Sequence, residues 1–264
     1  MSAHASPSLP PGSVVSALRA AGCVFAEDEA ELILSTARTP GEAAAMVERR
    51  AAGLPLEHVL GWAAFRGLRI AVGPGVFVPR RRTEFLVERA AGLLPPRPVV
   101  VDLCCGSGAL GVALVAGLDA FELHAADIEP AAVRCARRNV VPAGGSVHEG
   151  DLFDALPAGL RGRVDVLLAN VPYVPTGEVG LLPAEARAHE PLVALDGGAD
   201  GLDVLRRVTA DAPRWLAPGG HLLFETVERQ VPDALDAVAR SGLTASVARS
   251  DEHAATVVIG ARPV

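Results

Sequence analysis

Two clusters in the chain combine residue types whose spacing suits chemistry. The first is Asp102-Leu103-Cys104-Cys105-Gly106-Ser107-Gly108-Ala109-Leu110-Gly111. Glycines directly after an apolar run let the backbone turn sharply and approach a ligand, with the amides of a following helix facing it. Gly106 to Gly111 spells G-x-G-x-x-G, and Asp127 follows about 20 residues on, where such loops place a ribose-binding acid. The second cluster is Asn170-Val171-Pro172-Tyr173. Amide and exocyclic amino nitrogens are poor nucleophiles because their lone pair is delocalised. Two acceptors aimed at the N–H groups orient such a nitrogen and stabilise the positive character it acquires during attack. The Asn170 side-chain oxygen is one such acceptor and the Val171 carbonyl the other, with Pro172 restricting Val171 and Tyr173 lying against the planar group. The bland alternatives are a rigid Pro-containing turn for 170–173, and a helix N-cap or turn role for Asp102 and Asp127.

The glycine loop alone fits either a nicotinamide dinucleotide or S-adenosylmethionine. Asp102 ahead of the glycines suits a cofactor carrying sulfonium and ammonium charge better than a pyrophosphate. Asp127, followed by Ile128-Glu129-Pro130, is placed to accept from ribose hydroxyls. Lysine is absent, so no Tyr-x-x-x-Lys pair serves an oxidoreductase. These features favour S-adenosylmethionine and methyl transfer to nitrogen.

The elements that must position both clusters follow from apolar periodicity. Val99 to Leu103, Glu122 to Asp127, Val164 to Ala169 and Gly219 to Phe224 read as strands, with Leu243 to Ala248 and Thr256 to Ile259 as a closing pair. Ala109 to Gly117 and Pro130 to Val140 read as helices, the second opened by proline in its first turn. Strand and helix alternate, as in an α/β fold with a mostly parallel sheet. Ligands of such sheets sit outside the carboxyl ends of the strands near the switch point, where both clusters fall. Pro11 to about Gly53 shows helical spacing, and Leu56 to Val78 a short hairpin around Gly67 and Gly73. The expected organisation is a helical domain over 1–60, a hairpin linker over 61–82 and the α/β domain over 83–264.

Composition narrows the class. The net charge is −7, and the pI of about 5.5 argues against direct binding of nucleic acid through a broad basic face. Arg80-Arg81-Arg82 is the one basic cluster; a solvated turn, or pairing with Glu84 and Glu88, is its ordinary reading. Cys23, Cys104, Cys105 and Cys135 lack paired zinc spacing, so no metal is expected and the thiols read as reduced and cytoplasmic. Met1 to Pro7 carries no signal-like pattern and reads as a frayed tail. The apolar window from Val99 to Ala126 is interrupted by Asp102, Asp119 and Glu122, which argues against a membrane span.

Asp102 to Gly108 followed by Asn170-Val171-Pro172-Tyr173 resembles the N-P-P-Y class of amino and amide methyltransferases. Pro55 to Gly61, Phe77-Val78-Pro79-Arg80 with Thr83-Glu84, and His189 to Gly198 are similar to the HemK/PrmC family, which methylates glutamine in peptide-chain release factors. The resemblance runs from about Pro55 to the C-terminus. It implies a Rossmann-like class I S-adenosylmethionine-dependent methyltransferase domain with a seven-stranded sheet, and an N-terminal helical domain for substrate recognition. It implies cofactor contacts from Asp102, Cys104, Cys105, Gly106, Ser107, Gly108, Asp127, Ile128, Asp151, Leu152 and Asn170. Acceptor contacts are implied for Asn170, Val171, Pro172 and Tyr173, with Pro79 and Arg80 beside them, and the partner is a protein bearing the target glutamine. Val171 stands where the family motif has proline, one loop glycine is lost, and Leu152 replaces an aromatic. With the Ala-, Arg-, Gly- and Pro-rich composition, these departures suggest an actinobacterial-type paralogue with another protein target. The alternatives are an N-methyltransferase for adenine or a small molecule, and a non-catalytic S-adenosylmethionine-binding protein.

Overall fold

The computed structural model describes residues 10–264; the expected frayed tail, Met1 to Pro7, lies outside the described residues. The chain divides into two compact units between Ala63 and Ala64. In the first, α1 (Pro11–Ala20), α2 (Ala26–Thr36), α3 (Pro40–Ala51) and α4 (Leu56–Leu60) enclose Val14, Leu18, Ile33, Met46 and Val59. The Thr39 side chain caps α3 by accepting from Glu42 N–H at 3.1 Å, which fills one of the donors a helix start leaves open. Residues 56–60 form a helix where the hairpin region was expected to begin.

A hairpin of β1 (Trp62–Phe65) and β2 (Leu68–Ala71) turns at Arg66 and Gly67, both at positive φ. Residues expected as a linker are firmly held, since Phe65 and Ile70 pack with Phe85 and Leu86. There follow α5 (Glu84–Ala91), β3 (Val99–Leu103), α6 (Ala109–Val115), β4 (Glu122–Asp127), α7 (Pro130–Val140), β5 (Ser146–Glu149), β6 (Val164–Ala169), α8 (Ala184–His189), α9 (Asp203–Trp215), β7 (Leu216–Thr226), α10 (Val231–Arg240), β8 (Thr244–Ser250) and β9 (Ala255–Ala261).

The large sheet has seven strands in the order β5-β4-β3-β6-β7-β9-β8. β5, β4, β3, β6 and β7 run parallel, and β9 is antiparallel to both its neighbours. Side chains alternate between the faces. Val101, Leu103, Leu167 and Ala169 pack against Leu205, Val208, Ala234 and Val238 of α9 and α10. Val100, Val166 and Leu168 pack against Leu86, Leu110, Leu114 and Ala136 of α5, α6 and α7. Burial on both faces explains the unbroken apolar runs of β3 and β6. The chain leaves β3 toward β4 and β5 and then crosses back to β6, so the switch point lies between β3 and β6. Among the described residues no helix is long and apolar enough to cross a membrane.

Candidate active site

The parallel registers align the two clusters. Leu103 is level with Ala126 of β4 and with Ala169 of β6. One residue further, Cys104, Asp127 and Asn170 form a row at the carboxyl edge of the sheet. Asp127 and Asn170 stand two strand spacings apart, roughly 10 Å.

Asp102, the penultimate residue of β3, has no exposed surface. Its Oδ2 accepts from Gly111 N–H at 2.9 Å, filling an open donor in the first turn of α6. Its Oδ1 is buried with no partner. Burial pushes its pKa up to about 7, Asp127 adding to the rise while the Gly111 hydrogen bond opposes it. The contact with Gly111 is the one expected of the capping alternative, and the second oxygen is left buried beneath the loop.

Past Leu103 the chain enters left-handed conformations at Cys104, Gly106 and Gly108. The three loop glycines differ in what they face. A Cβ on Gly106 would meet nothing within 4 Å, so this glycine borders open space. A Cβ on Gly108 would lie 2.5 Å from Val140 Cγ2, and one on Gly111 2.9 Å from Leu123 Cδ1. Gly108 and Gly111 thus seat α6 against α7 and β4. Ser107 and Cys105 are buried, and the Ser107 carbonyl accepts from Asn139 Nδ2 at 2.8 Å. Asn139 also exchanges hydrogen bonds with the backbone of Ala71, pinning the loop and hairpin together. Burial and nearby carboxylates raise the pKa of both Cys104 and Cys105, which are therefore protonated thiols.

The Asp127 carboxylate accepts from Gly106 N–H at 2.8 Å and from Glu129 N–H at 2.9 Å. The turn role is thus present, and it locks the carboxylate against the loop. A carboxylate has about four acceptor sites, so capacity for two hydroxyls remains. Burial raises its pKa, with its backbone hydrogen bonds opposing. Ile128 beside it is 50% exposed, and Leu152, at positive φ, follows Asp151, which pairs with Arg207 at 2.6 Å. An orphaned buried carboxylate oxygen, an oriented second acid and two aliphatic walls suit a nucleoside that carries positive charge.

At the acceptor end, the side chain of Asn170 and the carbonyl of Val171 accept no hydrogen bond from another described residue. The loop is fastened from Tyr173 onward. Tyr173 O accepts from Gln230 Nε2 at 2.9 Å, Val174 N–H donates to Leu195 O at 3.1 Å, and Gly197 N–H donates to Val174 O at 2.8 Å. A Cβ on Gly197 would sit 2.6 Å from Pro172 O and one on Gly201 2.3 Å from Tyr173 O, so these two glycines admit the 170–173 loop. Val171, 2% exposed, packs into the core with Leu202 and Leu205.

The arginine cluster has partners remote in sequence. Arg80 pairs with the buried Glu190, whose Oε1 also accepts from Val78 N–H at 3.3 Å; Pro79 is buried. Arg82 pairs with Glu225 at 2.8 Å and donates to Tyr173 Oη. The expected partner Glu84 instead accepts from Arg66 N–H at 3.0 Å. Glu225, Asn139 and Gln230 fall outside the motifs, and Glu190, inside the His189 to Gly198 motif, pairs with Arg80 in a way the motif does not show. Glu225 did leave a signal: one acid closing the apolar run Leu222-Leu223-Phe224, the same signature as Asp102 after Val99-Val100-Val101.

The family model for the methyltransferase small domain matches residues 68–185. A release factor glutamine methyltransferase from Geobacter sulfurreducens is 38% identical over 219 residues, 82% of this chain and 76% of that protein. The chain belongs to the release factor glutamine methyltransferase family. A second relative, a 4-amino-L-phenylalanine/4-methylamino-L-phenylalanine methyltransferase from Streptomyces pristinaespiralis, is 39% identical over 68% of this chain and 63% of its own length. A methyltransferase structure from Pyrococcus furiosus shares the fold with a TM-score of 0.57 at 14% identity, over 75% of this chain and 90% of that one. Among the described residues no group of three or more metal-ligating side chains is assembled.

Proposed function

We propose that the chain transfers a methyl group from S-adenosylmethionine to the side-chain amide nitrogen, N5, of a glutamine in a partner protein, a peptide-chain release factor being the first candidate. The observation that carries this reading is the pair of free acceptors, Asn170 Oδ1 and Val171 O, beside each other at the switch point.

Asp127, with Ile128 and Leu152 beside it, would hold the ribose and base of the cofactor, and the Cys104 to Gly108 backbone would cradle its amino-acid portion above Asp102. Bound there, S-adenosylmethionine supplies an electrophilic methyl on a sulfonium. Asn170 and Val171 accept from the two N–H groups of the substrate amide and turn its nitrogen lone pair toward that methyl. Both oxygens would stabilise the positive charge that the nitrogen acquires on taking the methyl. The surplus proton then leaves to water. Orientation of this kind is worth about 7–11 kcal/mol in favourable cases. Tyr173 Oη is no base, because burial and then Glu225 push its pKa up. The first unit, with Pro79 and Arg80, is proposed to contribute to recognition of the protein.

Incubation of the full chain with labelled S-adenosylmethionine and purified release factors, followed by mass-spectrometric mapping, tests the reading. Methyl on a glutamine amide supports it, and label on nucleic acid alone rejects it. An arylamine acceptor is the second reading, favoured by the match to the aminophenylalanine methyltransferase; its amino group presents the same two N–H donors.

A further inference from the structure

Glu225 lies next to last in β7 and is 4% exposed. Its two oxygens are filled by donors from two distant segments of chain. Tyr173 Oη donates to Oε1 at 2.9 Å, Arg82 Nε donates to the same oxygen at 2.8 Å, and Thr83 Oγ1 donates to Oε2 at 2.7 Å. Arg82 Nη2 donates in turn to Tyr173 Oη and the guanidinium stands 5.9 Å from the phenol ring centre, closing a ring of three side chains. Leu168 of β6 is level with Leu223 of β7, so two residues further Glu225 is level with Asn170.

A buried carboxylate is costly unless paired and hydrogen-bonded, and here both conditions are met by groups of the acceptor loop and its neighbour. Tyr173 is consequently held at its backbone, by Gln230 Nε2, and at its hydroxyl, by Glu225 and Arg82. A ring held at both ends is a fixed surface three residues from Asn170. We infer that Glu225 is a positioning residue for methyl transfer, acting through Tyr173 and Arg82 to fix the acceptor loop so that Asn170 and Val171 meet the incoming nitrogen at one geometry. This inference rests on the proposed role of those two acceptors. Glu225 does not itself take the substrate proton, because its two oxygens are buried and occupied.

The test uses Glu225→Gln, Tyr173→Phe and the double variant of the full chain. Acceptor kcat and KM are measured with a release factor, S-adenosylmethionine affinity by calorimetry, and phenol ionisation by tyrosinate absorbance, which is unambiguous because Tyr173 is the one tyrosine in the sequence. Each single variant is expected to lower kcat by about 10- to 100-fold, the cost of a small misplacement, with cofactor affinity unchanged. The double variant should lose no more than the worse single, as residues acting as a unit do. The Tyr173 phenol should ionise at lower pH in Glu225→Gln than in the wild type. Wild-type kcat in Glu225→Gln with only a lowered Tm assigns Glu225 a purely structural role and overturns the inference, as do multiplicative losses. Absence of glutamine methylation by the wild type sinks the substrate reading alone. The same kcat comparison with an arylamine acceptor then decides the positioning claim, and a Glu225→Gln kcat equal to that of the wild type overturns it.

Discussion

The Asp102 carboxylate holds Gly111 N–H at 2.9 Å with one oxygen and leaves the other buried without a partner. The pair fixes the first turn of α6 and at the same time stores an uncompensated acceptor beneath the glycine loop. Burial raises the Asp102 pKa from 3.8 to about 7, so the folded chain keeps a proton that the unfolded chain releases. Stability contributed by this group is therefore greatest at low pH, falls as pH rises through that window, and is flat above it. A cationic ligand favours the ionised form. Affinity for S-adenosylmethionine should thus increase with pH and level off above about 7, and Asp102→Asn should remove the slope. Calorimetric titrations at several pH values check this, and a flat wild-type profile would remove Asp102 from the electrostatics of binding.

The loop glycines separate folding from binding. Gly108→Ala places a Cβ 2.5 Å from Val140 Cγ2 at a φ of +76°. It should lower stability by about 1–3 kcal/mol, from overpacking and left-handed strain. Gly106→Ala meets no atom within 4 Å and carries only the strain of its positive φ. Its methyl borders the space proposed for the cofactor, so it should weaken S-adenosylmethionine binding more than it lowers Tm. Thermal denaturation with and without cofactor distinguishes the two; equal effects of both substitutions on affinity would contradict the division.

Asp127 joins the two halves of the proposed cofactor site through Gly106 and Glu129. Asp127→Ala leaves both N–H groups without an acceptor, which costs about 1–3 kcal/mol for each that stays buried, and removes the acid proposed for the ribose hydroxyls. Asp127→Asn keeps a single carbonyl oxygen and should be milder for folding while still weakening cofactor binding. Unchanged affinity in a folded Asp127→Asn protein would count against the ribose role.

The sequence shows the strand framework far better than the side-chain contacts around it. β3, β4 and β6 have the bounds expected of them because each is a mostly apolar run with Asp102, Asp127 or Asn170 at or beside its end. β5 escapes notice because Ser146-Val147-His148-Glu149 lies at the sheet edge with none of its residues fully buried, so no apolar run marks it. The two acceptors at 170–171 are legible, since backbone and amide chemistry are local. The clamps that hold them are not, because Glu190 and Glu225 lie more than a hundred residues from Arg80 and Arg82. Nor does G-x-G-x-x-G reveal that Gly106 alone borders open space: the difference lies in Val140 and Leu123, which only the fold brings to the loop.

Asn170 bears the most direct prediction. Its side chain accepts no hydrogen bond from another described residue, so Asn170→Ala removes no internal bond and should leave Tm near that of the wild type. The lost oxygen serves a nitrogen that becomes positive only during attack, so the loss belongs to the transition state more than to the bound ground state. By comparison with the removal of one preorganised partner from other sites, kcat should fall by about 10²- to 10³-fold. S-adenosylmethionine affinity should remain. Asn170→Asp retains an acceptor but adds a full negative charge in front of a sulfonium, which should tighten cofactor binding without restoring turnover. Steady-state kinetics with calorimetry on both variants decides the matter; an unchanged kcat in Asn170→Ala would mean that the nitrogen is held elsewhere, leaving Val171 as a packing residue and the loop as a strand terminus.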